Sequence, residues 1–141
     1  MSSATHADVL ARRRQLILNG DADGLADLFA PDAVIEFSFH GPPGTPVRLE
    51  GREAIREYSR QVAASPLRIE GYEVTELYQT QDPEVVIMEM RAKGTVTTTG
   101  RSFAATSIQI LCIREGQIVL WRDFADPRIL EDMIGELQPG S

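Results

Sequence analysis

Asp123 is the residue best placed to do chemistry. It stands in the run QIVLWRDFADP at 117–127, which alternates as a strand with Ile118, Leu120 and Phe124 on one face and Val119, Trp121 and Ala125 on the other. An acid set between Trp121 and Ala125 is expected to be poorly hydrated, which raises a carboxyl pKa and makes the group a usable proton donor or acceptor. The plain alternative is an acid at a sheet edge, paired with an arginine and doing no chemistry. Arg13 is the second candidate. At ~100° per residue a helix over 5–18 puts Val9, Leu10, Leu16 and Ile17 on one side, with Arg13 in the middle of it. A guanidinium there either finds a partner or a wet cavity, since burying it alone is costly, or runs its head along the stem to the domain edge. His40, at the head of the Pro/Gly loop over 40–46, is a third: an imidazole at a pocket mouth could carry a proton, or it could simply lie on the surface.

The elements that must position these groups follow from period and punctuation. A short helix is expected over 22–29, capped by Asp21 or Asp23 and ended before Pro31. A strand over 33–39 puts Ile35, Phe37 and Phe39 on one face. A helix over 52–64 shows Ile55, Tyr58 and Val62 at helical spacing. Four strands then read over 68–80, 84–96, 102–114 and 117–125, separated by Gln81-Asp82-Pro83, Thr99-Gly100 and Glu115-Gly116. Asp126-Pro127 reads as a cap and first helical residue, opening a last helix over 126–137. Helices first and a long antiparallel run afterwards make an α+β fold, with helices packed on one face of a curved antiparallel sheet. Several strands are apolar on both faces, as with Ile108, Ile110 and Cys112 against Leu111 and Ile113. One face is therefore expected to cover the helices and a cavity, and the other to meet a second copy in a homodimer. Glu89, Arg91 and Lys93, opposite Met88, Met90 and Ala92, read as an outward charge ladder. Tyr72 and Tyr78 share a parity, and either hydroxyl could reach a ligand, although packing is the simpler role.

Composition narrows the classes. The 141 residues fit a single domain, with 43% hydrophobic and 25% charged residues as in a globular protein. A net charge of −7 argues against nucleic acid as partner. No apolar run approaches the roughly 18 residues of a membrane span, and MSSATHADVL lacks the pattern of a signal peptide, so a cytoplasmic location is expected. Cys112 is the one cysteine, so no disulfide framework is possible within the chain, and His6 and His40 are too far apart to suggest a metal site.

The phrases DADGLADLFAPDAVIEF at 21–37, LEGREAI at 49–55, TTTGRSF at 97–103 and WRDFADP at 121–127 resemble the SnoaL-like branch of the nuclear-transport-factor-2-like superfamily. That resemblance implies a sheet wrapped around the N-terminal helices to form a cone-shaped pocket. The C-terminal half is similar to limonene epoxide hydrolase, whose matching strand also reads Trp-Arg-Asp. Only Asp123 carries over, because that enzyme's other catalytic positions fall on Met90 and Ala92 and its water-holding positions on Ile35 and Phe37. Against ketosteroid isomerase, the base position is Phe37 and the tyrosine of the first helix is Arg13, which implies that Arg13 faces the pocket. The chain is also similar to polyketide cyclases and to phenazine-biosynthesis A/B proteins, the latter partly through TQDPE at 80–84. These likenesses imply cofactor-independent acid/base catalysis, by cyclisation, isomerisation or condensation, on a hydrophobic carbonyl-bearing metabolite of secondary metabolism. Asp123 would be the acid/base, Arg13 its electrostatic partner and His40 a third member, in a pocket lined by Phe37, Met88, Met90, Trp121 and Leu130. Two rival expectations are a non-catalytic binding or accessory module and an epoxide hydrolase with rearranged water ligands.

Overall fold

The computed structural model describes residues 2–40 and 45–126, with side chains from His6 onward. The last helix expected over 126–137, and Leu130 with it, lies outside the described residues. The chain runs α1 (Ser2–Asn19), α2 (Ala22–Asp27), β1 (Phe29–Phe37), β2 (Val47–Glu50), α3 (Arg52–Ala64), β3 (Leu67–Gln79), β4 (Val85–Val96), β5 (Arg101–Arg114) and β6 (Gln117–Ala125). The fold is α+β: one curved six-stranded sheet in the order β2-β1-β6-β5-β4-β3, with the helices against it.

Local chemistry accounts for most boundaries. Asp21 caps α2, its carboxylate accepting from the Gly24 amide at 2.9 Å. The β5–β6 connection is a two-residue turn in which Glu115 and Gly116 both have positive φ, 53° and 77°. That geometry matches the right-handed twist of the flanking strands. On α1, Val9, Arg13 and Leu16 are all buried, the spacing of one helical face. The inward side of the sheet meets this face through Met88, Met90, Leu111, Ile113 and Ile118, with Phe29, Ala33 and Ile35 from β1. Arg56 of α3 reaches Asp23 and Asp27 of α2, at 3.2 and 2.8 Å, and ties the two helices at the surface. Such exposed pairs orient more than they stabilise.

Several expectations need correction. The second helix stops at Asp27, and Phe29 opens β1 as a fully buried core residue, because the strand runs through Pro31 and ends at Phe37. Phe39 therefore lies beyond the strand, 58% exposed, its ring edge-on to Phe124 at 5.8 Å. Ile118 does not share a surface with Leu120 and Phe124. A bulge opposite Cys112 and Ile113 inserts one residue, and Ile118 is fully buried in the core. The short β2, unforeseen, pairs antiparallel with β1. The sheet is also not wholly antiparallel, since β1 lies parallel to β6. On the outer face Glu89 accepts from the Tyr78 hydroxyl at 2.5 Å, and no ion pair joins it to Arg91 or Lys93 among the described residues.

Gly94 marks the tightest approach in the sheet. A Cβ there would sit 1.9 Å from the Arg68 carbonyl oxygen and 2.9 Å from Phe103 Cζ. Gly94→Ala must push β3 off β4, and we expect a loss of at least ~1–3 kcal/mol in urea unfolding. Gly100→Ala meets nothing within 4 Å and should cost roughly 1 kcal/mol through its positive φ alone. Equal losses for the two variants would show that the Arg68 contact does not control the register.

Candidate functional site

Strand register lines up Phe37 of β1, Asp123 of β6, Gln109 of β5 and Met88 of β4 as one row across the sheet. Paired residues in a sheet share a face, so all four point inward with Met88, which is fully buried. The next inward row is Ile35, Trp121, Leu111 and Val86. Asp123 is thus carried into the concave side by register, between a phenylalanine and a glutamine.

Arg13 comes down on this row from α1. It is 2% exposed, and among the described residues no carboxylate lies within ion-pairing distance of it. Its Nη2 donates to Gln109 Oε1 at 2.7 Å and to the Tyr72 hydroxyl at 3.0 Å. Its guanidinium carbon stands 4.3 Å from the Trp121 ring centroid and 5.3 Å from that of Tyr72. The helix face thus resolves in favour of a partnered arginine. Because a guanidinium can only donate, it fixes which way the Gln109 amide faces. The amide nitrogen must turn away, toward the Tyr72 hydroxyl at 2.8 Å and Asp123 Oδ2 at 3.4 Å. Arg13 therefore touches Asp123 only through Gln109.

Burial pushes the Asp123 carboxyl above its ordinary value. The charges of Arg13 and His40, the Gln109 amide and the Ala125 backbone pull the other way without cancelling it. The Tyr58 hydroxyl of α3 is raised as well, by burial first and then by the Asp123 charge, and its ring lies 5.4 Å from Phe37. His40 follows β1 and sets its ring edge-on to Phe37 at 5.6 Å, its backbone nitrogen donating to the Phe37 carbonyl at 3.2 Å. Four buried side-chain atoms lack a hydrogen-bond partner among the described residues: Arg13 Nε, His40 Nδ1, Trp121 Nε1 and Asp123 Oδ1. All four belong to this one cluster. An unsatisfied buried polar atom costs about 1–3 kcal/mol, so the concentration of four in one place is what a ligand's polar atoms would relieve.

The structure thus gathers Asp123, Arg13, His40, Phe37 and Trp121, with Met88 at the end of the row. Met90, one inward step along β4, lines with Met88 an open cleft of about 360 Å³ between α1 and β3 rather than the space beside Asp123. Gln109 and Tyr58 were not among the sequence candidates. Gln109 was visible as a polar residue at inward parity in SIQILCI, and Tyr58 as a hydroxyl on the apolar side of its helix. Among the described residues no cluster of three or more His, Cys, Asp or Glu could hold a metal ion, and no helix is long and apolar enough to cross a membrane.

The model of the SnoaL-like domain family matches residues 11–121. The chain belongs to the SnoaL-like family. A relative in Pseudomonas aeruginosa, an uncharacterised PhzA/B-like protein, is 40% identical over 129 residues, covering 91% of this chain and 89% of that protein. The crystal structure of a Bacillus subtilis protein provisionally assigned as an isomerase superposes with a TM-score of 0.85 at 26% identity, covering 96% of each chain. SalBIII, an epoxide hydrolase/cyclase-like enzyme of pyran ring formation in the polyether salinomycin, has a TM-score of 0.72 at 22% identity, covering 92% of this chain and 97% of its own. The SnoaL-like frame is therefore shared along nearly the whole length, with a nuclear-transport-factor-2-like fold. The family match ends at Trp121, just short of Asp123.

The carboxyl titration of Asp123, followed by NMR against Asp123→Asn, should have a midpoint above the ordinary ~3.9 of an aspartate. Arg13→Met should move it further up, because the guanidinium holds it down. The sign for stability follows. The folded carboxyl is raised, so ionising it costs stability as pH climbs from the ordinary carboxylate range through the folded value. The stability deficit of wild type relative to Asp123→Asn should therefore be larger at pH 8 than at acid pH. An ordinary or lowered midpoint would refute both expectations.

Proposed function

We propose that this SnoaL-like protein is a cofactor-independent acid/base enzyme acting on a hydrophobic carbonyl-bearing metabolite, by isomerisation, cyclisation or condensation. The observation that carries the reading is the cluster of four buried side-chain atoms without a partner among the described residues, on Arg13, His40, Trp121 and Asp123 itself. They divide as the chemistry needs. Ionised Asp123 takes a proton from the carbon beside the substrate carbonyl, and the electron pair moves onto the carbonyl oxygen. Trp121 Nε1–H and the Arg13 charge stabilise that oxygen as negative charge develops. The proton then returns to a different carbon of a conjugated enolate, which isomerises the substrate, or the enolate carbon attacks a second carbonyl, whose oxygen takes the proton back from Asp123 as the ring closes. His40 supports the return step as a proton carrier beside Asp123. Phe37 and the rings of Trp121 supply an apolar wall, so substrate shape sets the reacting geometry. The likeness to SalBIII in fold is consistent with ring-forming chemistry in such a frame.

A non-catalytic binding module is the second reading, and it gains from the fact that the four atoms are sealed from solvent in the described state. Epoxide hydrolysis is disfavoured because positions suited to holding a water are occupied by Ile35 and Phe37. We also propose a homodimer through the outer face of the sheet, where Ile108 and Tyr78 stand 48% and 46% exposed.

Exchange of carbonyl-adjacent protons in D2O, followed by NMR over a panel of enolisable ketones and β-ketoesters, tests the enzyme reading. Wild type should exchange at least one member, faster as pH rises through the Asp123 midpoint. Asp123→Asn should lower that rate by about 10²–10⁴-fold. No exchange across the panel, or an undiminished rate in Asp123→Asn, would remove the acid/base claim and leave the binding module.

A further inference from the structure

The cleft of about 360 Å³ between α1 and β3 is lined by Leu10, Arg13, Tyr72, Val74, Met88 and Met90, with Arg14 and Glu73 also on its wall. Its volume falls in the range of small-molecule sites. It lies across Gln109 from Asp123, and of its lining the proposed acid/base reading uses only the charge of Arg13. Two observations say what it would hold. The Tyr72 hydroxyl, 8% exposed at the residue level, accepts one hydrogen bond from Arg13 and another from Gln109. Both of its lone pairs are filled, so its own hydrogen is left to donate, and no acceptor for it exists among the described residues. Arg13 spends Nη2 on Tyr72 and Gln109, and its buried Nε has no acceptor among the described residues. A hydroxyl hydrogen and a buried cation therefore sit side by side without an anion.

Charge points the same way. In a chain of net charge −7 this lining carries two arginines and one glutamate. Arg14 is held in place by its bond to the Tyr72 carbonyl at 2.8 Å, with Glu73 at 4.0 Å. A buried guanidinium without a counter-ion is costly, and an incoming carboxylate would supply one through charge-assisted hydrogen bonds. The remaining wall is aliphatic and thioether, which suits an apolar body and adapts to its shape.

We propose that the α1–β3 cleft is a binding site for an apolar carboxylic acid, its carboxylate taken by the Tyr72 hydroxyl and the Arg13 guanidinium and its hydrocarbon lying on Leu10, Val74 and Met90. The site stands independently of any catalytic role of Asp123.

The test is calorimetric titration with 4-phenylbutyrate and with its neutral amide, 4-phenylbutyramide, alongside amide-shift mapping by NMR. The acid should bind at least about tenfold more tightly than the amide. Shifts should centre on Leu10 and Val74. Tyr72→Phe should weaken the acid about tenfold and the amide by less, and Arg13→Met should abolish the preference. Arg13 is built into the core, so Tyr72→Phe and the acid–amide comparison decide the matter if that variant does not fold. Asp123→Asn should bind the acid as tightly or more tightly, since it removes a nearby negative charge. The proposal is overturned by equal binding of acid and amide, by binding of neither, by shifts centred on His40 and Asp123, or by loss of acid binding in Asp123→Asn. The D2O exchange experiment can fail or succeed without touching any of these outcomes.

Discussion

A guanidinium enclosed by the sheet is the constraint to which the rest of the interior answers. Arg13 is nearly inaccessible and has no carboxylate beside it among the described residues, an arrangement whose desolvation is worth several kcal/mol against folding. Its surroundings offset that cost by other means. Two hydrogen bonds from one nitrogen, each worth about 1.5–3 kcal/mol to a charged group, go to Gln109 and Tyr72. A cation–π stack on Trp121, worth up to about 2 kcal/mol when desolvated, covers its face. Gln109 then has one permitted orientation, Tyr72 becomes an acceptor, and the negative charge nearest in the row, on Asp123, is reached only through an amide. The polar order of the interior thus propagates from one residue of the first helix.

Much of this was legible because it follows from period. The burial of Val9, Arg13 and Leu16 is what 3.6 residues per turn imposes on that stretch, and the inward Asp123 beside Trp121 is what alternation imposes on β6. The four C-terminal strands followed from their turn residues for the same reason. The failures lie where a single local rule is overridden. Pro31 read as a stop, yet it is accommodated near the start of β1, so Phe29 belongs to the core of the sheet rather than to a helix end. Ile118 obeys a bulge that depends on the partner strand and cannot be seen from its own. The parallel pairing of β1 with β6 joins segments far apart in the chain, where neither periodicity nor turn chemistry reaches. Gln109 was legible in kind but not in importance, since its role exists only once Arg13 stands opposite.

Family membership and the candidate site overlap in the chain. The SnoaL-like match runs from the middle of α1 to Trp121 in β6, and a structure of low identity superposes on nearly the whole chain. What is shared there is a curved sheet with helices on its concave side. Asp123 lies just beyond the matched range, while Arg13, Phe37, His40, Gln109 and Trp121 around it lie within it. A frame reused in this way leaves the chemistry to whichever side chains the register turns inward, here Phe37, Asp123, Gln109 and Met88 in one row.

The closure of the sheet also says something about the order in which the molecule can come together. Glu36 and Arg122, neighbours across the parallel β1–β6 pair and hydrogen-bonded at 3.1 Å, are 86 positions apart. Arg13 and Gln109 are 96 apart. Contacts of such high sequence separation are entropically late and slow to form. During synthesis α1 emerges with its arginine long before β5 exists to receive it, so Arg13 gains its Gln109 partner only once most of the chain has been made. The β3–β4–β5–β6 run, by contrast, needs only neighbouring hairpins. The cluster around Asp123 is therefore assembled last, at the seam where the earliest and latest segments meet, and any partly folded form of this protein would hold the acid without the cation that steadies it.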